Sequence, residues 1–109
     1  MWYLVLSRDR ADDAGKKVHR DAHAGWLDDQ HRAGRALFSG PTADGRYGMY
    51  VLLAPNLAEA RTLAGQDPYH QHGVRDLEQV LEWDPRRALN LDGPSIADLE
   101  AMARGDARS

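Results

Sequence analysis

The chain predicts an α+β fold with its elements in the order strand, helix, strand, strand, helix, strand, and three observations carry that prediction. Runs of apolar and aromatic residues at 2–6, 46–54 and 77–83 have strand character, two segments at 16–33 and 57–66 repeat apolar residues with helical period, and turn chemistry at 40–45 lets two strands follow one another directly. The 109 residues supply one domain with a single core.

Trp2-Tyr3-Leu4-Val5-Leu6 is apolar on both alternating faces, as a strand covered on two sides would be. Residues 7–15 are rich in Asp and Arg and end in glycine, which predicts a solvated loop. Over 16–33 a helix is expected, with Val18, Ala22, Trp26 and Ala33 in one stripe and His19, His23 and Gln30 along its polar edge. Gly34 suits the left-handed conformation that ends a helix, and 36–38 forms a short strand. The 40–45 turn leads into a strand over 46–54, in which Tyr47, Met49, Val51 and Leu53 oppose Gly48, Tyr50, Leu52 and Ala54 on the other face. Asn56 caps a second helix over 57–66, with Leu57, Ala60, Leu63 and Ala64 inward. Pro68 pushes Asp67 out of the helical region, leaving an acid at the negative end of that helix, unfavourable by roughly 0.3–1 kcal/mol, with a loop beyond it. Residues 77–83 read as a more exposed strand with Leu77, Leu81 and Trp83 on one face and Val80 on the other, although 75–81 also suits a helix. Beyond Asp84-Pro85, 86–91 is a connection or a short extra strand, and Ser95 with Asp98 resembles a capping box for a terminal helix over 96–103. The domain is thus 1–85, and 86–109 is an extension whose helix packs on the domain or on a partner copy.

Composition excludes several classes of function. Fourteen Lys and Arg against 17 Asp and Glu give a net charge of −3, without the basic stripe that nucleic acid requires. Zero cysteines exclude a disulfide framework, a thiolate nucleophile and Cys-based metal sites. No apolar run is long enough to span a bilayer, and Met1-Trp2-Tyr3 lacks the basic start of a signal peptide, so a cytoplasmic, soluble protein is the expectation.

The element order is that of the split βαβ, or ferredoxin-like, arrangement, in which right-handed crossovers put both helices on one face of an antiparallel sheet. The other face carries apolar side chains that two sheets packed face to face, a dimeric α/β barrel, would cover. The two helices run antiparallel, so Asp67 approaches the N-terminal part of the first helix, where His23 lies roughly 10 Å from the start at 1.5 Å per residue.

Several stretches together carry a resemblance: His23-x-x-Trp26-Leu27, Gly34 through Ser39-Gly40-Pro41, the apolar strand from Tyr50 to Ala54, Glu59-Ala60, and Asp67-Pro68-Tyr69 ahead of a strand ending in Trp83. In that joint order the first 85 or so residues resemble the YciI-related, or YCII-domain, family. The resemblance implies a homodimeric ferredoxin-like α/β barrel with His23 and Asp67 as the active-site pair. One relative is a dehydrochlorinase of a chlorinated hydroxyhydroquinone, while most have no established substrate. The chain departs in having Tyr69 where phenylalanine is frequent, in histidines at 70 and 72, and in its tail after Pro85.

A carboxylate that accepts a hydrogen bond from one imidazole nitrogen fixes the tautomer and raises the basicity of the other nitrogen. His23 oriented by Asp67 would then move a proton on a small molecule, in an elimination, an isomerisation or dehydrochlorinase-like chemistry. The competing readings are a partly buried His23 bonded to a backbone carbonyl, Asp67 as loop punctuation, and a non-catalytic barrel that binds a ligand or another protein. Ser39 and Gly40 could meet a substrate at the strand end, though a hairpin turn alone accounts for Ser39-Gly40-Pro41. Trp26, Tyr69 and His70 could line its pocket, although the core is the better reading of Trp26. His19 and His23 are four apart, but Arg20 stands where the zinc-protease pattern needs glutamate, and His70 and His72 alternate as solvated side chains do. Neither a metal nor any other cofactor is expected.

Overall fold

The computed structural model describes residues 1–10, 13–86 and 96–105. Eight elements follow one another: β1 (Trp2–Asp9), α1 (Asp13–Arg32), β2 (Ala36–Pro41), β3 (Tyr47–Leu53), α2 (Leu57–Gly65), α3 (Pro68–Gln71), β4 (Arg75–Trp83) and α4 (Ile96–Arg104). The strands form one antiparallel sheet in the order β2-β3-β1-β4, the ferredoxin-like arrangement that the element order predicts.

β1 runs on through Ser7, Arg8 and Asp9, a stretch its composition marks as loop. Both of its neighbours pair with it there, Arg8 opposite Tyr47 and Asp76, Asp9 opposite Arg75, and the charged side chains find partners: Arg8 Nη2 lies 3.1 Å from Glu78 Oε1, and Arg75 Nε donates to Asp9 Oδ1 at 2.5 Å. Two-sided pairing in a central strand overrides a weak local preference. β2 likewise extends from the expected 36–38 to Pro41, so Ser39, Gly40 and Pro41 are strand residues paired with Tyr50, Met49 and Gly48, and the turn begins at Thr42. Proline is tolerated there because β2 is an edge strand.

Side chains opposite one another across a sheet share a face, so Tyr3, Val5 and Ser7 lie with Gly48, Tyr50, Leu52, Leu77 and Val80. This is the helix-covered face, and Tyr3, Val5, Leu52 and Tyr50 form its core with Ala60 and Ala64 of α2 and with Trp26 and Leu27 of α1. Leu77 joins Val80 on that face because the β1–β4 register shifts between Leu6 and Ser7, which corrects the expected grouping of Leu77 with Leu81 and Trp83. Leu57, expected inward, is exposed, whereas Ala60 and Ala64 are fully buried.

The largest correction concerns α1. Val18 is 75% exposed, and Ala22 and Ala33 also face solvent; the inward side is Lys16, His19, His23, Trp26, Leu27 and Gln30. That set recurs with helical spacing and is a valid helix face, but four of its six residues are polar. The helix also begins three residues before the expected start, which puts His23 near its middle. Gly34 follows with φ of 74°, the left-handed stop its sequence position predicts.

The second sheet face carries Trp2, Leu4, Leu6, Met49, Val51, Leu53, Leu81 and Trp83. α4 covers one end of it: Trp2 Nε1 donates to Glu100 Oε1 at 2.6 Å, and Trp2 and Val51 are buried. Leu81, Trp83 and Met49 remain open to solvent. Of the expected features of the connection, residues 87–91 and Ser95 lie outside the described residues; Arg86 is exposed and bonds Asp84.

Candidate active site

Asn56 caps α2 by accepting the Glu59 N–H at 2.9 Å, and the helix then runs to Gly65, where the chain must turn. Pro68 takes Asp67 to φ −58° and ψ 124°, outside the helical region as expected, but the residues beyond are the single turn of α3 and not a loop. Asp67 is the N-cap of that turn. Its Oδ1 accepts the Tyr69 N–H at 2.9 Å, so the negative charge faces free N–H groups and is favourably placed, the reverse of the unfavourable helix end read from sequence.

The same carboxylate faces α1. His23 Nδ1 lies 2.6 Å from Asp67 Oδ1, and the Tyr50 hydroxyl donates to Oδ2 at 3.4 Å. Asp67 is 2% exposed and the His23 side chain 12%. An ionised carboxylate that already accepts a backbone N–H requires a proton on Nδ1, which leaves Nε2 as the free lone pair of the neutral ring. Nε2 makes no hydrogen bond to any described residue. The ring itself is clamped, stacked on Tyr69 with centroids 3.9 Å apart and 9° between planes, and Tyr69 is tied to α1 through its hydroxyl, which donates to the Lys16 carbonyl at 3.2 Å. Burial, and next the adjacent Asp67 charge, push the Tyr50 hydroxyl well above its ordinary pKa, so it stays a donor to the carboxylate.

In front of His23 opens a cleft of about 350 Å³, near the lower end of small-molecule sites. Leu27 supplies apolar wall, Tyr50 and Tyr69 aromatic wall, and Gly40, Pro41 and Met49 the rim from β2 and β3, while Lys16, Arg20 and Arg75 bring three cations. Arg75 lies with its guanidinium 4.9 Å from the Tyr69 ring centre, and Lys16 and Arg75 both bond Asp9. An imidazole held by a buried acid, on the wall of a small, partly apolar cleft and with its outer nitrogen unbonded, can take up and return a proton.

The sequence-derived candidates divide. His23, Asp67, Tyr69 and Gly40 come together. Trp26 packs into the core, edge-on to Tyr50 at 5.8 Å, and Ser39 turns away to bond His31 Nε2 at 2.7 Å. His70 points to solvent, and His19 and His72 stack on each other at 4.0 Å beside the site. Among the described residues no three His, Asp or Glu side chains gather as a metal site. Tyr50, Arg75, Arg20, Lys16 and Asp9 were not singled out from sequence. Tyr50 had a usable signal, as a tyrosine on the Leu52 side of a strand that must bury its polar tip against something; Arg75 had none, being a charged residue beside a presumed loop.

The fold and the site together define a ferredoxin-like α+β domain with a His–Asp pair opening on a small cleft. The chain belongs to the YCII-related domain family, whose model matches residues 1–84. Among solved structures it is similar in fold to the 5-chloro-2-hydroxyhydroquinone dehydrochlorinase from Burkholderia phenoliruptrix AC1100 in complex with 2,5-dihydroxybenzoquinone, with a TM-score of 0.67 and 19% identity over 77% of this chain and 94% of that one. No curated protein matches the chain.

Proposed function

We propose that this protein is a small-molecule enzyme in which His23, oriented by Asp67, transfers a proton in an elimination or isomerisation. The observation that carries the reading is the 2.6 Å contact between His23 Nδ1 and a carboxylate that is almost wholly buried, with the opposite ring nitrogen unbonded at a cleft. The cycle needs only the chain's own groups. The substrate docks against the Tyr69 and Tyr50 walls, Nε2 takes a proton from carbon or oxygen, Asp67 stabilises the imidazolium so formed, and the proton returns to another atom or to the leaving group. The dehydrochlorinase of similar fold supports this class of chemistry, and a cytoplasmic setting accords with the cysteine-free composition.

Two copies closing their second sheet faces would complete the barrel. The apolar side chains left open there, Met49, Leu81 and Trp83, support that assembly.

The test is an NMR assay in D2O with a panel of small phenols, enols and lactones that includes 5-chloro-2-hydroxyhydroquinone. Wild type is expected to exchange or eliminate at least one member, and His23→Gln to lose about 100-fold or more in rate with binding retained. Equal turnover by H23Q overturns the reading. Binding by the wild type without turnover would assign the cleft to a non-catalytic ligand-binding barrel.

A further inference from the structure

We infer that the cleft takes its substrate as a small planar organic oxyanion, a carboxylate or an ionised phenol or enol, held by the outer edge of the Arg75 guanidinium. This rests on the proposed site at His23 and adds what that site accepts.

Arg75 is the unusual group. Its side chain is 8% exposed, yet of its five N–H bonds only Nε–H is engaged, by Asp9 Oδ1 at 2.5 Å. Neither terminal nitrogen bonds a described residue, and no fully enclosed side-chain nitrogen or oxygen among the described residues lacks a partner. Those nitrogens therefore keep their open surface through the cleft that Arg75 lines. A desolvated guanidinium with two free nitrogens side by side is the geometry that matches a carboxylate or a pair of adjacent oxygens.

The surroundings fit an anion. Asp9 is shared between Arg75 and Lys16, so one carboxylate faces two cations, and Arg20 at the rim makes no ion pair with a described residue. Asp67 turns its oxygens to His23, Tyr50 and the Tyr69 N–H, so the cleft keeps a surplus of positive charge in a protein whose net charge is −3. Planarity is asked of the oxyanion group itself, whose oxygens must lie in the plane of the guanidinium, and Tyr69 holds that guanidinium in place with its ring between His23 and Arg75.

Gly48 is part of the same device. It is buried in a central strand, where glycine is a weak choice, and a Cβ there would collide with Arg75 Nη1 and lie 2.8 Å from Cζ. Its missing side chain is the space in which the guanidinium lies. An alanine would push the far end of a flexible side chain and leave the backbone and the His23–Asp67 pair where they are.

The experiment is a titration of the full chain with sodium benzoate and with its neutral isostere benzamide, followed by amide NMR shifts at His23, Gly40 and Tyr69. Wild type is expected to bind benzoate about tenfold or more tightly than benzamide, because a charge-assisted bidentate contact is lost in the amide. Arg75→Gln and Gly48→Ala should each abolish that preference, and Arg20→Gln should weaken benzoate binding by about two- to threefold with less effect at high salt. If R75Q loses its dispersed spectrum, G48A decides the matter. The preference should survive His23→Gln, which separates this inference from the proton-transfer reading, since that one fails on turnover alone. Benzoate binding no better than benzamide, absence of binding by either, or a benzoate preference that persists in G48A and R75Q would overturn the assignment.

Discussion

At the scale of single residues, the site is a chain of dependence that ends on Asp67. One oxygen receives both His23 and the Tyr69 backbone, and the other receives the Tyr50 hydroxyl, which is held protonated by burial and by that charge. Tyr50→Phe should cost about 0.5–1.5 kcal/mol at neutral pH, as expected for one hydrogen bond inside a folded protein, measured by urea unfolding. The pH dependence has a definite sign. A tyrosine whose folded pKa is raised above the unfolded value of about 10 binds its proton more tightly when folded, so its contribution is complete below that value and is lost as pH rises beyond it. Wild type should therefore lose stability faster than Y50F between about pH 10 and pH 12, by up to about 1.4 kcal/mol per pH unit, and parallel curves would show that Tyr50 ionises freely. Of these residues, His23 and Asp67 stand out in the sequence as a histidine on a helix's polar edge and an acid before proline, but their pairing as a site rests on the element order and on the family resemblance. Arg75 and Asp9 do not stand out, since an ion pair between residues 66 apart leaves no local trace.

At the scale of elements, what the sequence conveys best is type and order, and what it conveys worst is which side faces in. The helix α1 shows why. Its apolar residues suggested a stripe through Val18 and Ala22, but the inward row includes Lys16, His19, His23 and Gln30, polar groups that turn in because each meets a partner there, Asp9, His72, Asp67 and Arg35 in turn. β4 shows a second reason, because the register shift beside Leu77 reassigns every side chain on one side of it and arises from pairing with β1. The one-turn helix α3 escaped notice because four residues are too few for a period. Turn chemistry fared better, as Gly34 illustrates: it has the left-handed φ its position demands, and a Cβ there would also overlap the Ala103 carbonyl of α4. Gly34→Ala is accordingly expected to cost about 1–2 kcal/mol from the backbone alone and to lift α4 from the sheet. Deuterium exchange at the Trp2 indole, normally bonded to Glu100, should rise in G34A, and an unchanged rate would show that α4 holds without that close approach.

For the molecule as a whole, the two sides of the sheet have different fates. One is closed by α1 and α2, and the other is closed by α4 only at the Trp2 end, leaving Met49, Leu81 and Trp83 in solvent. Light scattering at micromolar concentration is expected to give the mass of two chains, and Leu81→Asp to reduce it to one while leaving the helix-covered core intact; a single-chain mass for the wild type would remove the barrel from the account. The first-strand pattern made this two-sidedness readable from the start, whereas the coverage supplied by α4 depends on a contact between residues 98 apart that no local pattern announces. The walls of the cleft have a consequence for finding its occupant. They come from α1, β2, β3, α3 and β4, pieces spread from Lys16 to Arg75, so whatever sits there works as a rivet through most of the chain. At a hundred times its dissociation constant such a molecule adds about 2.7 kcal/mol to the folded state, enough to move a melting curve by several degrees. A library of small acids can thus be sieved by heat, before any reaction is known.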